Sequence, residues 1–191
     1  GRPVPPVRQR ERFDTFGLHQ CFAKLADFGN GVRSNKKVTD DIQTRQYRSP
    51  EVIIGQEWNE TADNWSAACM FFELATGDFL FDPHTGENWD RDEDHLALMI
   101  ELIGSHPDKD WATGGKYSRD FFNNTGKLKH IKSLKFWPLT DVLVEKYSME
   151  PEEAASMNDF LQPMLRWMPS ERQAASEALN HPWLHPSEGE V

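Results

Sequence analysis

Apolar positions recur at helical spacing through most of the second half of the chain. The longest apolar run covers residues 61–77, in which Thr61 is placed to cap a helix and Gly77 to end it. Residues 95–102 place leucine, methionine and isoleucine side chains three and four positions apart, before a glycine and a proline that stop the helix. The same spacing recurs in three later segments, residues 139–147, 152–168 and 171–180. This pattern predicts a mainly α fold.

The beginning of the chain has a different pattern. Residues 1–12 contain three prolines and four arginines with almost no large apolar side chain, which is typical of a linker. Residues 21–26 alternate enough to predict a short strand, which ends at Asp27 before a glycine-containing turn. The expected divisions are a linker over residues 1–20, one folded unit over residues 21–185 and a tail over residues 186–191.

Composition supports a folded domain and narrows the choice of partners. Of the 191 residues 38% are hydrophobic, and 12 Phe and 7 Trp are available to fill a core. The formal net charge is −10, which favours a basic polypeptide partner over nucleic acid. Cys21 and Cys69 are too far apart to indicate a disulfide framework, so a reducing compartment is expected. No apolar run approaches the ~20 residues of a membrane span, and we expect a monomer without a membrane partner.

Four short motifs follow one another along the chain in a fixed order. Each one alone is short enough to recur by chance, so the information lies in their order and spacing. They are Asp27-Phe28-Gly29, Ser49-Pro50-Glu51, Asp63-Asn64-Trp65-Ser66 and Pro169-Ser170-Glu171-Arg172. This combination resembles the C-terminal lobe of a protein kinase, a helical bundle with a short strand before its activation loop.

Phosphoryl transfer explains why a kinase needs these residue types. A carboxylate must hold Mg²⁺ against the phosphates of ATP, and Asp27 is the candidate metal and cofactor ligand. The loop over residues 30–51 is expected to hold the substrate and is called the substrate loop. Thr44, near its end, is placed to bond the catalytic base, with a purely structural role as the alternative. Glu51 and Arg172 are expected to form a buried ion pair that locks this loop to the C-terminal helices. Asp63 is expected to be structural as well.

Longer segments resemble one branch of the kinases, the SR-protein kinases. The matching segments are residues 41–52, 72–81, 83–87, 91–95, 115–122 and 141–147. The resemblance extends from Cys21 to Leu184. It implies a serine/threonine kinase that transfers the γ-phosphate of ATP to serines of Arg/Ser-rich splicing factors. It further implies a role in mRNA splicing and a location in cytoplasm and nucleus.

An acidic stretch independently favours a basic substrate. From Asp78 to Glu101 the only base is Arg91, against eight carboxylates, and a cluster of one sign steers a polybasic chain. An ordinary solvated surface is the alternative, and a Ca²⁺ loop is disfavoured because the required glycine is missing. The resemblance implies a docking groove built from four acids and one lysine, at the positions of Asp78, Glu87, Asp94, Glu101 and Lys146.

Several features that a kinase needs are absent from the sequence. The 191 residues contain no Gly-rich phosphate loop, no lysine in a Val-Ala-Ile-Lys strand and no His-Arg-Asp loop. Because catalysis needs base, lysine and metal ligand together, we expect this chain to be inactive by itself. The alternative function is a catalytically dead docking module that binds basic Arg-Ser segments through the acidic groove. In the short activation loop, residues 31–43, Ser34 and Thr39 are the only side chains with a hydroxyl group, and the resemblance implies activity without loop phosphorylation.

Overall fold

The computed structural model describes residues 23–33 and 36–185. These residues belong to two separate units, Gly1–Arg33 and Ser34–Val191. The described part of the first unit contains one 3-10 helix, Phe28–Asn30. The predicted strand is wrong for its described positions, residues 23–26, because a strand needs a hydrogen-bonded neighbouring strand and these positions have none among residues 23–33 and 36–185. The predicted linker and tail, together with residues 21 and 22, lie outside the described residues.

The described part of the second unit is built from helices. Its α-helices are α1 Pro50–Ile54, α2 Thr61–Thr76, α3 Arg91–Ile103, α4 Lys109–Thr113, α5 Ser118–Phe121, α6 Leu139–Tyr147, α7 Pro151–Leu161 and α8 Ala175–Ala178. Shorter 3-10 helices cover Arg45–Tyr47, Gln162–Leu165, Pro169–Glu171 and Pro182–Leu184. An isolated antiparallel bridge joins Phe122 to Leu128. The mainly α fold that the hydrophobic pattern predicts is therefore confirmed.

The core forms around α2, because this helix is apolar on several sides. Its Trp65 is fully buried and stacks on Phe81 with ring centroids 5.8 Å apart. On another side, Phe71 packs edge-on against Phe160 of α7 at 5.3 Å. The same cluster includes fully buried side chains of α3, α6 and α7, among them Leu96, Met99, Ile100, Leu143, Met157 and Leu161. Helices from distant parts of the chain thus share one core.

Hydrogen bonds at the helix starts explain two differences from the predicted bounds. Thr61 is not the cap of α2; the Asn59 Oδ1 atom accepts the Thr61 N–H at 2.9 Å instead. Helix α3 begins at Arg91, four residues earlier than the apolar spacing predicts. There the Asp90 carboxylate accepts two backbone N–H groups of the first turn, at 3.0 and 2.8 Å. Gly77 ends α2 as predicted, with a φ of 85°.

The last predicted helices are shorter in the structure. Helix α7 ends at Leu161 and continues only as a 3-10 helix, because Pro163 has no N–H for an α-helical bond. The segment predicted as a helix over residues 171–180 keeps α-helical geometry only in α8. Helix α6, in contrast, has the predicted bounds, residues 139–147.

Candidate docking groove and substrate loop

A groove lies where the end of α2, the turn after it, α3 and α6 meet. It has two parts, with volumes of about 380 and about 390 Å³. Both parts are lined by Phe79, Asp82 and Lys146, so they are continuous. The part of about 380 Å³ has an apolar floor with acids beside it, and its lining includes Phe72, Leu80, Leu98, Glu101, Leu102, Trp137 and Val142. This groove combines apolar surface with negative charge.

Asp78 and Lys146, two residues expected in a docking groove, are in direct contact. Lys146 Nζ donates to Asp78 Oδ2 at 3.0 Å, and the Tyr147 hydroxyl donates to the same oxygen at 2.9 Å. These two hydrogen bonds hold the pKa of the Asp78 carboxyl below its usual value. Hydrogen bonds with Tyr147 and Asp78 raise the pKa of Lys146. Both groups are therefore charged at neutral pH.

Asp94 and Glu101 lie two turns apart on α3, and each has a backbone partner. Asp94 Oδ2 accepts the N–H of His84 at 2.8 Å, while Glu101 Oε1 accepts the N–H of Lys135 at 2.6 Å. Glu101 lines the groove, but Asp94 lines neither part of it. A carboxylate has about four acceptor positions, so both groups retain capacity for a cation.

Glu87 lies exposed in the segment before α3. Within residues 23–33 and 36–185 it forms no ion pair. The structure therefore brings Asp78, Glu101 and Lys146 together around the groove, and it does not place Glu87 or Asp94 in its lining.

Two acids of the acidic stretch have other roles. Glu93 is only 1% exposed, and its carboxylate accepts the backbone N–H groups of His130 and Ile131 at 2.6 and 3.2 Å. The His130 ring also contacts it, at 2.6 Å from Nδ1. Asp92 forms an ion pair with Arg45 of the substrate loop. The number of acids in the sequence therefore overstates the negative charge that reaches the surface.

Gln43 fixes the substrate loop, a role that sequence reasoning missed. Its backbone has a φ of 67°, in the left-handed region. Its side-chain nitrogen donates to Ala62 O and Ser66 Oγ of α2, both at 2.8 Å. Its side-chain oxygen accepts the N–H and hydroxyl of Ser49, at 2.9 and 3.0 Å. This amide therefore ties both ends of the loop between Gln43 and Ser49 to α2.

Glu51 and Arg172 form a bidentate ion pair inside the fold. Both nitrogen–oxygen distances are 2.8 Å, and both side chains are 0% exposed. Arg172 also donates to three backbone carbonyls, those of Thr61, Arg166 and Trp167. The pair attaches α1, which follows the substrate loop, to the segment that precedes α8.

The remaining candidate residues are exposed. Thr44 begins the 3-10 helix Arg45–Tyr47, and its hydroxyl makes no capping bond there. Asp63 lies in the first turn of α2, where the helix dipole favours a carboxylate. Asp27, in the first unit, has a φ of 63°, and its carboxylate does not cap the following turn.

A single carboxylate meets only part of the requirement of Mg²⁺. This ion is usually bound through one or two carboxylates together with phosphate oxygens and water, and the exposed Asp27 fits one such position. Among the described residues no three metal-ligating side chains come together. In the same part of the chain, no helix is long and apolar enough to cross a membrane.

Comparison with known sequences identifies the family. A model of the protein kinase domain matches residues 16–184. SRSF protein kinase 3 from Homo sapiens is 53% identical over 163 residues, which are 85% of this chain and 29% of that protein. Protein kinase dsk1 from Schizosaccharomyces pombe is 52% identical over 161 residues, 84% of this chain and 29% of the relative. Serine/threonine-protein kinase spk-1 from Caenorhabditis elegans is 51% identical over 189 residues, 98% of this chain and 18% of the relative.

The chain spans less than a third of the length of each of these relatives. Its helical architecture agrees with the predicted C-terminal lobe, and its identity to the SR-protein kinases confirms the resemblance seen in the motifs. The chain therefore belongs to the protein kinase family, on its SR-protein kinase branch.

Proposed function

We propose that the chain is the substrate-docking part of a serine/threonine kinase that phosphorylates Arg/Ser-rich splicing factors and so regulates mRNA splicing. The groove carries this proposal, because its acids can pair with guanidinium groups while its apolar floor accepts the arginine stems. The printed name of one relative, SRSF protein kinase 3, supports the same class of substrate. The proposed location is cytoplasm and nucleus, and the proposed state is a monomer.

The proposed cofactors are ATP and Mg²⁺. Asp27 is the residue that would hold the ion, whose positive charge offsets the charge of the phosphates. Thr44 is proposed to bond the catalytic base. The 191 residues contain neither the ATP lysine nor a His-Arg-Asp loop, so we propose that this chain alone transfers no phosphate.

The second candidate function is a docking module without catalysis, and the same groove supports it. The two candidate functions differ in whether an ATP lysine and a His-Arg-Asp loop are encoded upstream of Gly1. Reading the transcript upstream of Gly1 separates the two functions, because the kinase requires an encoded ATP lysine and a His-Arg-Asp loop. A transcript without them would assign the docking module.

Binding of a fluorescent Arg-Ser peptide tests docking through Glu101, which lines the groove, and through Asp94, which lies two turns away on α3 outside the groove lining. The double variant Asp94→Asn/Glu101→Gln removes two charges but keeps an acceptor oxygen for the N–H groups of His84 and Lys135. We expect this variant to weaken binding about tenfold at low salt, with a smaller difference at high salt. Fluorescence anisotropy at two salt concentrations measures both effects.

The matched control is Glu152→Gln/Glu153→Gln, which removes two exposed charges from α7 outside the groove lining. It is expected to bind the peptide nearly as well as the unchanged chain. Undiminished binding by the Asp94/Glu101 variant, or an equal loss in the control, would rule out docking through these acids.

A further inference from the structure

A second cavity lies against the segment that joins α5 to α6. Its volume is about 370 Å³, and it shares no lining residue with the docking groove. We refer to it as the basic pocket, defined by the lining residues His106, Lys127, Leu128, Ile131, Lys132, Ser133, Leu134 and Phe136. Its position makes it a separate surface of the same unit.

The charge of the basic pocket is opposite to that of the groove. Residues 121–140 contain four lysines and no Asp or Glu, in a chain whose net charge is −10. Among the described residues, Lys127, Lys132 and His106 form no ion pair with a carboxylate. Lys132 Nζ donates to the carbonyl of Leu128 at 2.8 Å, which holds its ammonium group beside the pocket. The pocket therefore presents positive charge that its own lining does not neutralise.

Helix α3 holds the pocket-forming segment in place. Near its start, Glu93 accepts the N–H groups of His130 and Ile131. Near its end, the Glu101 carboxylate accepts the N–H of Lys135, and the Glu101 carbonyl accepts the N–H of Trp137 at 3.1 Å. Because both ends of the segment are attached, the cavity is formed before any ligand arrives.

The pocket also offers apolar surface. Phe136 is 52% exposed, and its ring meets that of His106 edge-on at 6.4 Å. Ile131 and Leu134 are partly buried in the same lining. An exposed aromatic ring beside unpaired lysines suits a ligand that carries negative charge and one large apolar side chain.

We propose that the basic pocket binds an acidic segment of a partner protein. Carboxylates of that segment pair with Lys127 and Lys132, and an apolar side chain of the segment packs against Phe136. Charge complementarity selects this occupant, since an unmodified Arg-Ser segment would bring like charges together here. The proposal does not depend on the function of the docking groove.

Two short fluorescein-labelled peptides provide the test. Both consist of Asp and Glu, and the first carries a central Leu where the second carries Gly. We expect the Leu peptide to bind the whole chain more tightly than the Gly peptide in low-salt fluorescence anisotropy. Lys127→Glu/Lys132→Glu is expected to weaken binding of both peptides about tenfold or more. Phe136→Ala is expected to reduce the Leu peptide to the affinity of the Gly peptide.

The matched control is Lys116→Glu/Arg166→Glu, which makes the same change in net charge outside the basic pocket. Thermal unfolding of each variant shows that the fold is retained, and Phe136→Ala leaves every charge in place. The proposal is overturned if the unchanged chain binds neither peptide, or if the control weakens binding as much as the pocket variant. It is also overturned if Phe136→Ala has no effect, or if a phosphorylated Arg-Ser peptide binds the pocket more tightly than the Leu peptide.

Discussion

At the scale of single residues, the Gln43 amide shows how one side chain determines the shape of the substrate loop. Its partners Ala62 and Ser66 lie 19 and 23 positions further along the chain. No local pattern reveals such a contact, so the sequence did not predict it. Glu51 and Arg172 are 121 positions apart, yet the sequence predicts the pair because a motif known from kinases contains each of them. The burial of Glu93 could likewise not be predicted, because in the sequence it resembles the exposed acids around it.

Replacing Gln43 with Ala is expected to lower the free energy of unfolding by about 1–3 kcal/mol, because it leaves Ser49 and the Ala62 carbonyl without this partner. Gln43→Gly removes the same contacts but relieves the positive φ, so it should be less destabilising than Gln43→Ala. Urea unfolding measures both variants. Gln46→Ala in the same loop is the control, and a Gln43→Ala variant no less stable than this control would contradict the role of the amide.

At the scale of elements, the buried ion pair between α1 and the segment before α8 is the contact with the largest expected effect. Glu51→Ala leaves the Arg172 charge buried without its carboxylate partner, which is expected to cost about 3–5 kcal/mol of stability. Glu51→Leu/Arg172→Met removes both charges and should be less destabilising than the single change, although three carbonyls lose a donor. Urea denaturation of the single and double variants tests this order.

The exposed pair Lys37–Glu57 is a matched control, since its nitrogen–oxygen distance is also 2.8 Å. Glu57→Gln is expected to leave stability nearly unchanged because water screens this pair. If Glu57→Gln and Glu51→Ala destabilised the protein equally, burial would not explain the strength of the Glu51–Arg172 pair.

The elements themselves were largely predictable, because apolar spacing reports which faces of a helix are buried. The exact first and last residues of the helices were less predictable from the sequence. The start of α3 depends on Asp90, a polar residue outside the apolar repeat, and the end of α7 depends on Pro163. The predicted strand failed in its described part because pairing requires a second strand, which a single segment cannot reveal.

At the scale of the whole molecule, acid is expected to destabilise the second unit through His95. Both ring nitrogens are buried without a hydrogen-bond partner among the described residues. Burial, with the charges of Arg45 and Arg48, lowers the pKa of His95 to about 3. The imidazole of the unfolded chain titrates near 6.5, so the unfolded state binds more protons between these two values. The contribution of His95 to stability is therefore complete above a pH of about 6.5. Between about pH 6.5 and about pH 3, the equilibrium constant for folding falls about tenfold for each pH unit.

Urea unfolding at pH 7 and pH 5 measures this effect. The unchanged chain is expected to lose stability between the two pH values, and His95→Leu to lose distinctly less. His84→Leu, at a histidine whose side chain is 75% exposed, is the control and should retain the loss. An equal loss in all three proteins would show that His95 is not the group responsible.

The overall charge of the molecule agrees with the acids of one surface and conceals the lysines of another. A net charge of −10 indicated a basic partner, and the groove with Asp78, Asp82 and Glu101 agrees with that interpretation. The net charge does not reveal the basic pocket, because the acids elsewhere in the chain outnumber the lysines of this one segment. Only the fold shows that Lys127 and Lys132 line one cavity with Phe136.

The contact between Asp78 and Lys146 has a consequence for the proposed docking of an arginine-rich segment in the groove. An arginine that reaches Asp78 meets a carboxylate already bonded to an ammonium group of the same chain. Under the proposed docking the arginine shares this carboxylate with Lys146, so a lone arginine gains less attraction here than at an unpaired acid. A segment with several arginines engages other acids at the same time and raises the local concentration of competing guanidinium groups. If the groove docks Arg-Ser segments as proposed, Lys146 is expected to favour segments with several arginines over isolated basic residues.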